Sequence, residues 1–224
     1  ASSPYYTHYT NVPVPLIQQN STQTVILSPG TYTSGNYMAV WIDFNQNGTF
    51  ESNEKLGEVL VSGSYPTTGS INFTVPQCAP PGFTRMRVRE VWNTSSIDPC
   101  LGYSFGETED YNVEIQANPT VPSCATLGSP TNGTTNVSLV GTNLNWTPGS
   151  TGGCATGYKL YFGTNNPPTN VVNGADLGNV VINGTGTLNP STTYYWRIVP
   201  YNAIGDATNC NTVNAFTTCA LPNA

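Results

Sequence analysis

Alternation of apolar and polar positions is the dominant pattern of this chain. In Tyr37-Met-Ala-Val-Trp-Ile-Asp43, Met38, Val40 and Ile42 alternate with Tyr37, Ala39 and Trp41, and the β-branched and aromatic content predicts a strand. Arg85, Arg87 and Arg89 alternate with Met86 and Val88, so their guanidinium groups share one face of a second strand. Glu107 and Glu109 share a face of a third strand, with Asp110 on its other side. If these strands are antiparallel neighbours, the three arginines and two glutamates form a cross-strand charge ladder. Further on, Tyr158, Leu160 and Phe162 line up at period 2, as do Tyr194, Trp196 and Ile198. No stretch of about 10 residues keeps a helical period free of Gly, Pro and β-branched clusters, so an all-β protein is predicted. No apolar run approaches the ~18 residues of a membrane span, and no membrane insertion is expected.

Composition divides the chain in two. Only 8% of the 224 residues are charged, while 38% are hydrophobic and 11% aromatic, enough for a core. Residues 1–118 hold ten of the twelve acids against Lys55, Arg85, Arg87 and Arg89; residues 119–224 hold Asp176 and Asp206 against Lys159 and Arg197. The net charge of −6 thus lies in the first part, which excludes nucleic acid and anionic membranes as partners. Asn118-Pro-Thr-Val-Pro-Ser123 falls where the acid density stops. Residues 119–123 are read as a linker between modules at 1–118 and 124–219.

Six cysteines (Cys78, Cys100, Cys124, Cys154, Cys210 and Cys219) form no C-x-x-C pair, and His8 is the one histidine, which argues against zinc. Their even number predicts disulfides and an extracellular or cell-surface location. Cys78 and Cys100 would enclose the arginine strand. Cys124 and Cys219 either pair together or leave Cys219 to a following module.

The most specific chemistry lies in Asp43-Phe-Asn-Gln-Asn-Gly-Thr-Phe-Glu-Ser-Asn-Glu54, which has oxygen-bearing side chains at positions 1, 3, 5, 9 and 12 of a calcium loop and Gly at position 6. A hard cation needs many oxygens at short range, and Gly48 permits the sharp turn that gathers them. Asp43, Asn45 and Asn47 would offer side-chain oxygens, Thr49 its carbonyl, Glu51 a direct or water-borne contact, and Glu54 a bidentate carboxylate. Asp110 is a candidate to complete the shell from outside. With Asn45 and Asn47 neutral, affinity belongs in the extracellular range of about 10⁻⁴ to 10⁻³ M. A strand rather than a helix leads into the loop, so a static brace is expected in place of a sensor.

Catalytic groups are scarce. His8 lies in a tail expected to be loosely held, which leaves a nucleophile without a base. Glu107 and Glu109 beside arginines would stay ionised and make poor acids. A competing expectation is carbohydrate binding, because Tyr5, Tyr6, Tyr9, Tyr32, Trp92 and Tyr103 fall in loops or on exposed faces. Trp92, Tyr103 and Arg87 are the candidate ligand-binding residues.

Two resemblances organise these features. Leu188-Asn-Pro-Ser-Thr-Thr-Tyr194 resembles the tyrosine corner of a fibronectin type III domain, a likeness that covers about residues 124–218. It implies a sandwich in which Cys154 and Cys210 share one pole and pair. Residues 20–117 resemble the GEVED domain, on four blocks in order: Val40-Trp-Ile-Asp-Phe-Asn-Gln-Asn-Gly-Thr-Phe50, Gly82-Phe-Thr-Arg-Met-Arg-Val88, Cys100, and Gly106-Glu-Thr-Glu-Asp-Tyr111. Thr108 stands where the family's name has Val, and Asn47 where Asp is usual. This likeness implies a large secreted or surface-attached bacterial protein, with fibronectin-like repeats and export by the type IX route. Together they imply two β-sandwiches in tandem forming a non-catalytic, calcium-braced accessory or adhesion module. Extracellular glycans or surface proteins, and neighbouring domains of the same polypeptide, are the expected partners.

Overall fold

The computed structural model describes residues 5–30, 34–63 and 66–221. The chain divides into two units, Ala1–Ala117 and Asn118–Ala224. Among the described residues every regular element except one 3-10 turn, Ser52–Glu54, is a strand, and no helix is long and apolar enough to cross a membrane.

The first unit contains β1 (Tyr6–Tyr9), β2 (Leu16–Gln18), β3 (Thr22–Leu27), β4 (Asn36–Ile42), β5 (Lys55–Val61), β6 (Gly69–Thr74), β7 (Gly82–Trp92) and β8 (Gly106–Gln116). One sheet runs β1-β8-β7-β4-β5, with β2 also on β8, and β3 pairs with β6 in a second sheet. Period 2 decides what each sheet buries. Met38 and Val40 of β4 and Val88 of β7 meet Leu27 and Ile71 of the second sheet in one core cluster, and Ile42, Val113 and Ile115 continue the core with Phe44. The other face of β4 is buried too, where Ala39 and Trp41 pack with Val91 and Ile97. That second layer is a loop, residues 93–105, in place of a sheet.

The N-terminal segment is not a loose tail. Both β1 and β2 run parallel to β8, Tyr6 opposite Thr108 and Leu16 opposite Glu114, and His8 Nε2 lies 3.2 Å from Asn112 Oδ1. The segment satisfies main-chain groups that β8 would otherwise leave unpaired.

The second unit contains β9 (Thr126–Leu127), β10 (Thr134–Val137), β11 (Asn143–Thr147), β12 (Gly157–Gly163), β13 (Val172–Asp176), β14 (Ile182–Gly184), β15 (Thr193–Asn202), β16 (Gly205–Asp206) and β17 (Asn214–Thr218). Its sheets run β10-β17-β15-β12-β13, with β16 on β15, and β14-β11-β9. Leu144 and Trp146 from the smaller sheet meet Tyr158, Leu160, Phe162, Trp196 and Phe216 from the larger one. The Tyr194 ring stacks on Phe162 at 5.1 Å, and its hydroxyl accepts the Asn189 main-chain N–H at 3.0 Å. That bond ties the chain's turn into β15 to the core, as a tyrosine corner does.

The expected linker is built into this unit. Pro122 bridges Gly152, Ser123 N–H donates to Thr151 O (3.1 Å), and Asn202 donates to Thr120 O (2.9 Å). This path carries Cys124 to the loop after β16, where it bonds Cys210 with Cα atoms 5.3 Å apart. The expected Cys154–Cys210 pair is therefore incorrect: the folded-back linker, which no strand pattern announces, delivers a different partner. Cys78 and Cys154 are disulfide-bonded, while Cys100 and Cys219 carry free thiols, so neither the Cys78–Cys100 nor the Cys124–Cys219 pair forms.

Candidate functional site

The loop that follows β4 gathers its oxygens inward. Asp43 extends the β4 ladder, its N–H donating to Arg85 O at 3.0 Å, and its main-chain oxygen accepts the Thr84 hydroxyl. Its carboxylate turns back into the loop, accepting Asn47 N–H at Oδ1 (3.1 Å) and Gly48 N–H at Oδ2 (2.9 Å). Gly48 adopts φ +82°, where a Cβ would be strained. Asn45 Oδ1 accepts Asn47 N–H (3.0 Å), and Asn47 Oδ1 accepts Thr49 N–H (2.8 Å).

Glu51 and Glu54 close the loop. Glu51 accepts Asn47 Nδ2 (2.6 Å), the Thr49 hydroxyl (2.8 Å) and Asn45 Nδ2 (3.1 Å). Glu54 is only 2% exposed and accepts the N–H groups of Asn45 (3.2 Å) and Glu51 (3.1 Å). Donors from Asn47, then Glu54 and Thr49, hold Glu51 down to about 2. Burial, followed by a hydrogen bond to Glu51, pushes Glu54 up. The pair is thus pushed apart, with Glu51 holding its charge more firmly than Glu54.

Asp43, Asn45, Asn47, Thr49, Glu51 and Glu54 are therefore brought together. Among the described residues no group of three or more His, Cys, Asp and Glu side chains is arranged as a metal site, so the oxygen set depends on the two amides and the main chain as well. A half-turn of the Asn45 and Asn47 amides would present oxygen where nitrogen now faces Glu51.

Asp110 does not join them. It is fully buried and opposite Arg87, whose Nε and Nη2 reach Oδ1 and Oδ2 at 2.8 and 2.9 Å. Tyr6 donates to Oδ2 at 2.9 Å, and Arg85 Nη1 stands 3.7 Å away. Its oxygens are spent on these partners, and the role read as a calcium ligand is that of a buried counter-ion.

The five-charge ladder does not form. Register places Arg85, Arg87 and Arg89 opposite Asn112, Asp110 and Thr108, while Glu107 lies opposite Glu90 on the other face. Burial, then repulsion from Glu107, raises Glu90 above the usual carboxylate range. Gly106 opens β8 because a Cβ there would strike the Glu90 carbonyl oxygen.

Arg87 is a poor ligand-binding residue, because the 93–105 loop consumes it, and Tyr103 has its hydroxyl engaged within that loop. Arg87 donates to Pro99 O (3.1 Å) and packs over the Phe50 ring at 4.7 Å. Arg89 donates to Asp98 O and lies 4.9 Å over the Tyr103 ring, whose hydroxyl accepts Asp98 N–H (2.8 Å). Glu58 pins the loop by accepting the N–H groups of Ser96 (2.8 Å) and Ile97 (2.9 Å). Tyr9 stacks on Tyr111 at 5.1 Å, and Tyr32 lies outside the described residues. Trp92 and Tyr103 line one cleft, Trp92 the more exposed of the two, and sequence reasoning missed their neighbour Phe105, which no period-2 run contains.

The class this geometry defines is a tandem of β-sandwiches with an oxygen-rich loop in the first. Residues 37–114 match the GEVED domain family. Among solved structures, the chain is similar to the chicken CNTN1 FN1-FN3 domains at 14% identity and TM-score 0.33, covering 97% of this chain and 69% of that one. It is also similar to Clostridium thermocellum CbhA fibronectin(III)-like modules at 9% identity and TM-score 0.31, covering 96% and 95%. Both likenesses are remote. No curated protein matches the chain.

Proposed function

We propose that this chain is a non-catalytic accessory segment of a larger exported protein, serving adhesion or spacing at the cell surface, with calcium bracing its first unit. The observation that carries the reading is the 43–54 loop, where buried Asp43 and Glu54 and the side chains of Asn45, Asn47 and Glu51 converge, and where the arginines that line the cavity beside Asp43, Arg85 and Arg87, are turned to Asp110. Glu51 and Glu54 interact directly, and two carboxylates gathered with amide oxygens in one loop favour a cation among them. Calcium would draw on this oxygen set, with the Asn45 and Asn47 amides turned to present oxygen. The bonded cysteines and the GEVED match support export, and the type IX route follows from the family resemblance alone.

The experiment is thermal unfolding of the whole chain with calcium and with chelator. At a Kd of about 0.1 mM and about 1 mM calcium, linkage adds ~1.4 kcal/mol, a rise of roughly 5 to 10 °C for the first unit. The readout is that shift and not the melting temperature itself, because Asp43→Ala also removes main-chain caps. Glu51→Gln, which leaves those caps intact, should lose most of the shift. Equal melting in calcium and chelator refutes the brace.

A further inference from the structure

Of the four tryptophans, Trp41, Trp146 and Trp196 are buried, whereas Trp92 at the end of β7 is 52% exposed. Its position is fixed: Nε1 donates to Ser34 O at 3.1 Å, and its main-chain N–H donates to Phe105 O at 3.3 Å. Phe105 is 66% exposed and stands edge-on to it, with ring centroids 5.9 Å apart and planes at 86°. Between the end of β7 and the start of β8 these rings border a cleft of about 350 Å³, which Tyr103, Asn93, Thr94 and Ser104 also line. The Thr94 hydroxyl donates to Trp92 O at 3.3 Å, and the Asn93 amide and Ser104 hydroxyl make no side-chain hydrogen bond among the described residues. Among the described residues no charged side chain lines the cleft, although this unit holds ten of the twelve acids.

We propose that this cleft binds an uncharged saccharide. A sugar ring has one face of C–H groups that packs on an aromatic plane, and a rim of hydroxyls that exchange hydrogen bonds with an amide and a hydroxyl. Rings already locked in place lose little conformational entropy when the ligand arrives. The volume has room for roughly one or two sugar rings. The absence of a lysine or arginine disfavours a uronate or sulfated sugar, which would find no counter-ion. Nucleobases also stack on aromatic rings, but their phosphates would meet an acidic unit. This site goes beyond the accessory reading and does not depend on calcium, which binds elsewhere in that reading.

The test is calorimetric titration of the whole chain, in calcium and in chelator, with neutral glucan, xylan, mannan and chitin oligosaccharides and an oligouronate. At least one neutral ligand should bind with a Kd of about 10⁻⁵ to 10⁻³ M, in both conditions. Trp92→Ala should weaken it at least ~10-fold and Phe105→Ala about 3-fold or more, ~1.4 and ~0.7 kcal/mol. Both side chains are largely exposed, so melting should be unchanged. Should Trp92→Ala disturb folding, Phe105→Ala and Ser104→Ala carry the test. Failure of every neutral oligosaccharide, preference for the uronate, or equal affinity in all variants overturns the proposal. Loss of the calcium shift with sugar binding intact would strike the brace alone.

Discussion

Replacing Asp110 by Asn should be the most damaging single-atom change in the first unit. The carboxylate is fully buried and receives two hydrogen bonds from Arg87 and one from Tyr6. The amide keeps the shape and one acceptor but turns an Nδ2 donor toward a guanidinium that cannot accept it. The Arg87 side chain is only 16% exposed, so its charge cannot be rehydrated in place. Breaking one partner of such a pair costs about 3 to 5 kcal/mol, and the lower end suits a guanidinium that also has Pro99 O and the Phe50 ring. For a unit of this size ~3 kcal/mol lowers the melting temperature by more than about 10 °C. Calorimetry on the whole chain would follow the transition that moves while the other unit's stays put. Arg85→Ala is the control, since its guanidinium is 47% exposed and 3.7 Å away, and it should cost under about 1 kcal/mol. Pairing Asp110→Asn with Arg87→Met should recover part of the loss, because no unmatched charge remains. A cost below about 1 kcal/mol for Asp110→Asn, or equal costs for it and Arg85→Ala, would refute the assignment.

Burial, and then Glu107, raises the pKa of Glu90 above the usual value of a glutamate. The folded state thus binds the proton more tightly, and the fold loses stability as pH rises above about 4.3 toward the raised value. Glu90→Gln should raise the melting temperature at pH 7 and gain nothing at pH 4; a benefit confined to acid would contradict the sign. Tyr194→Phe removes the acceptor for Asn189 N–H, and urea titration should show a loss of about 1 to 2 kcal/mol in the second unit. An unchanged midpoint would mean the corner is not held by that hydroxyl.

The strands with strict alternation were readable because one face meets a core: β4 through Met38, Val40 and Ile42, β15 through Tyr194, Trp196 and Ile198. The tyrosine corner was readable because its spacing is local. Register is not local. Alternation says that Glu107 and Glu109 share a face and that the arginines share one, but not that the two faces are opposite. Likewise β1, four residues long, has too few positions to show a period, and its partner is a hundred residues away. Cysteine pairing failed for the same reason, since a proline-containing segment that looks like a tether is held by distant partners, Thr151, Gly152 and Asn202. The gathering of oxygens in the 43–54 loop was legible because its residue order is compressed into twelve positions, whereas Phe105 acquires meaning only when folding sets it beside Trp92.

The family match begins at residue 37, yet the first unit's architecture begins earlier. β3 supplies half of the second sheet, and without it Met38 and Val40 lose part of their cover. β1 and β2 occupy the flank of β8, an eleven-residue strand whose bare amides and carbonyls would invite another chain. The autonomous folding piece is therefore larger than the stretch that similarity recognises, and trimming to that stretch would trade a sealed border for a sticky one.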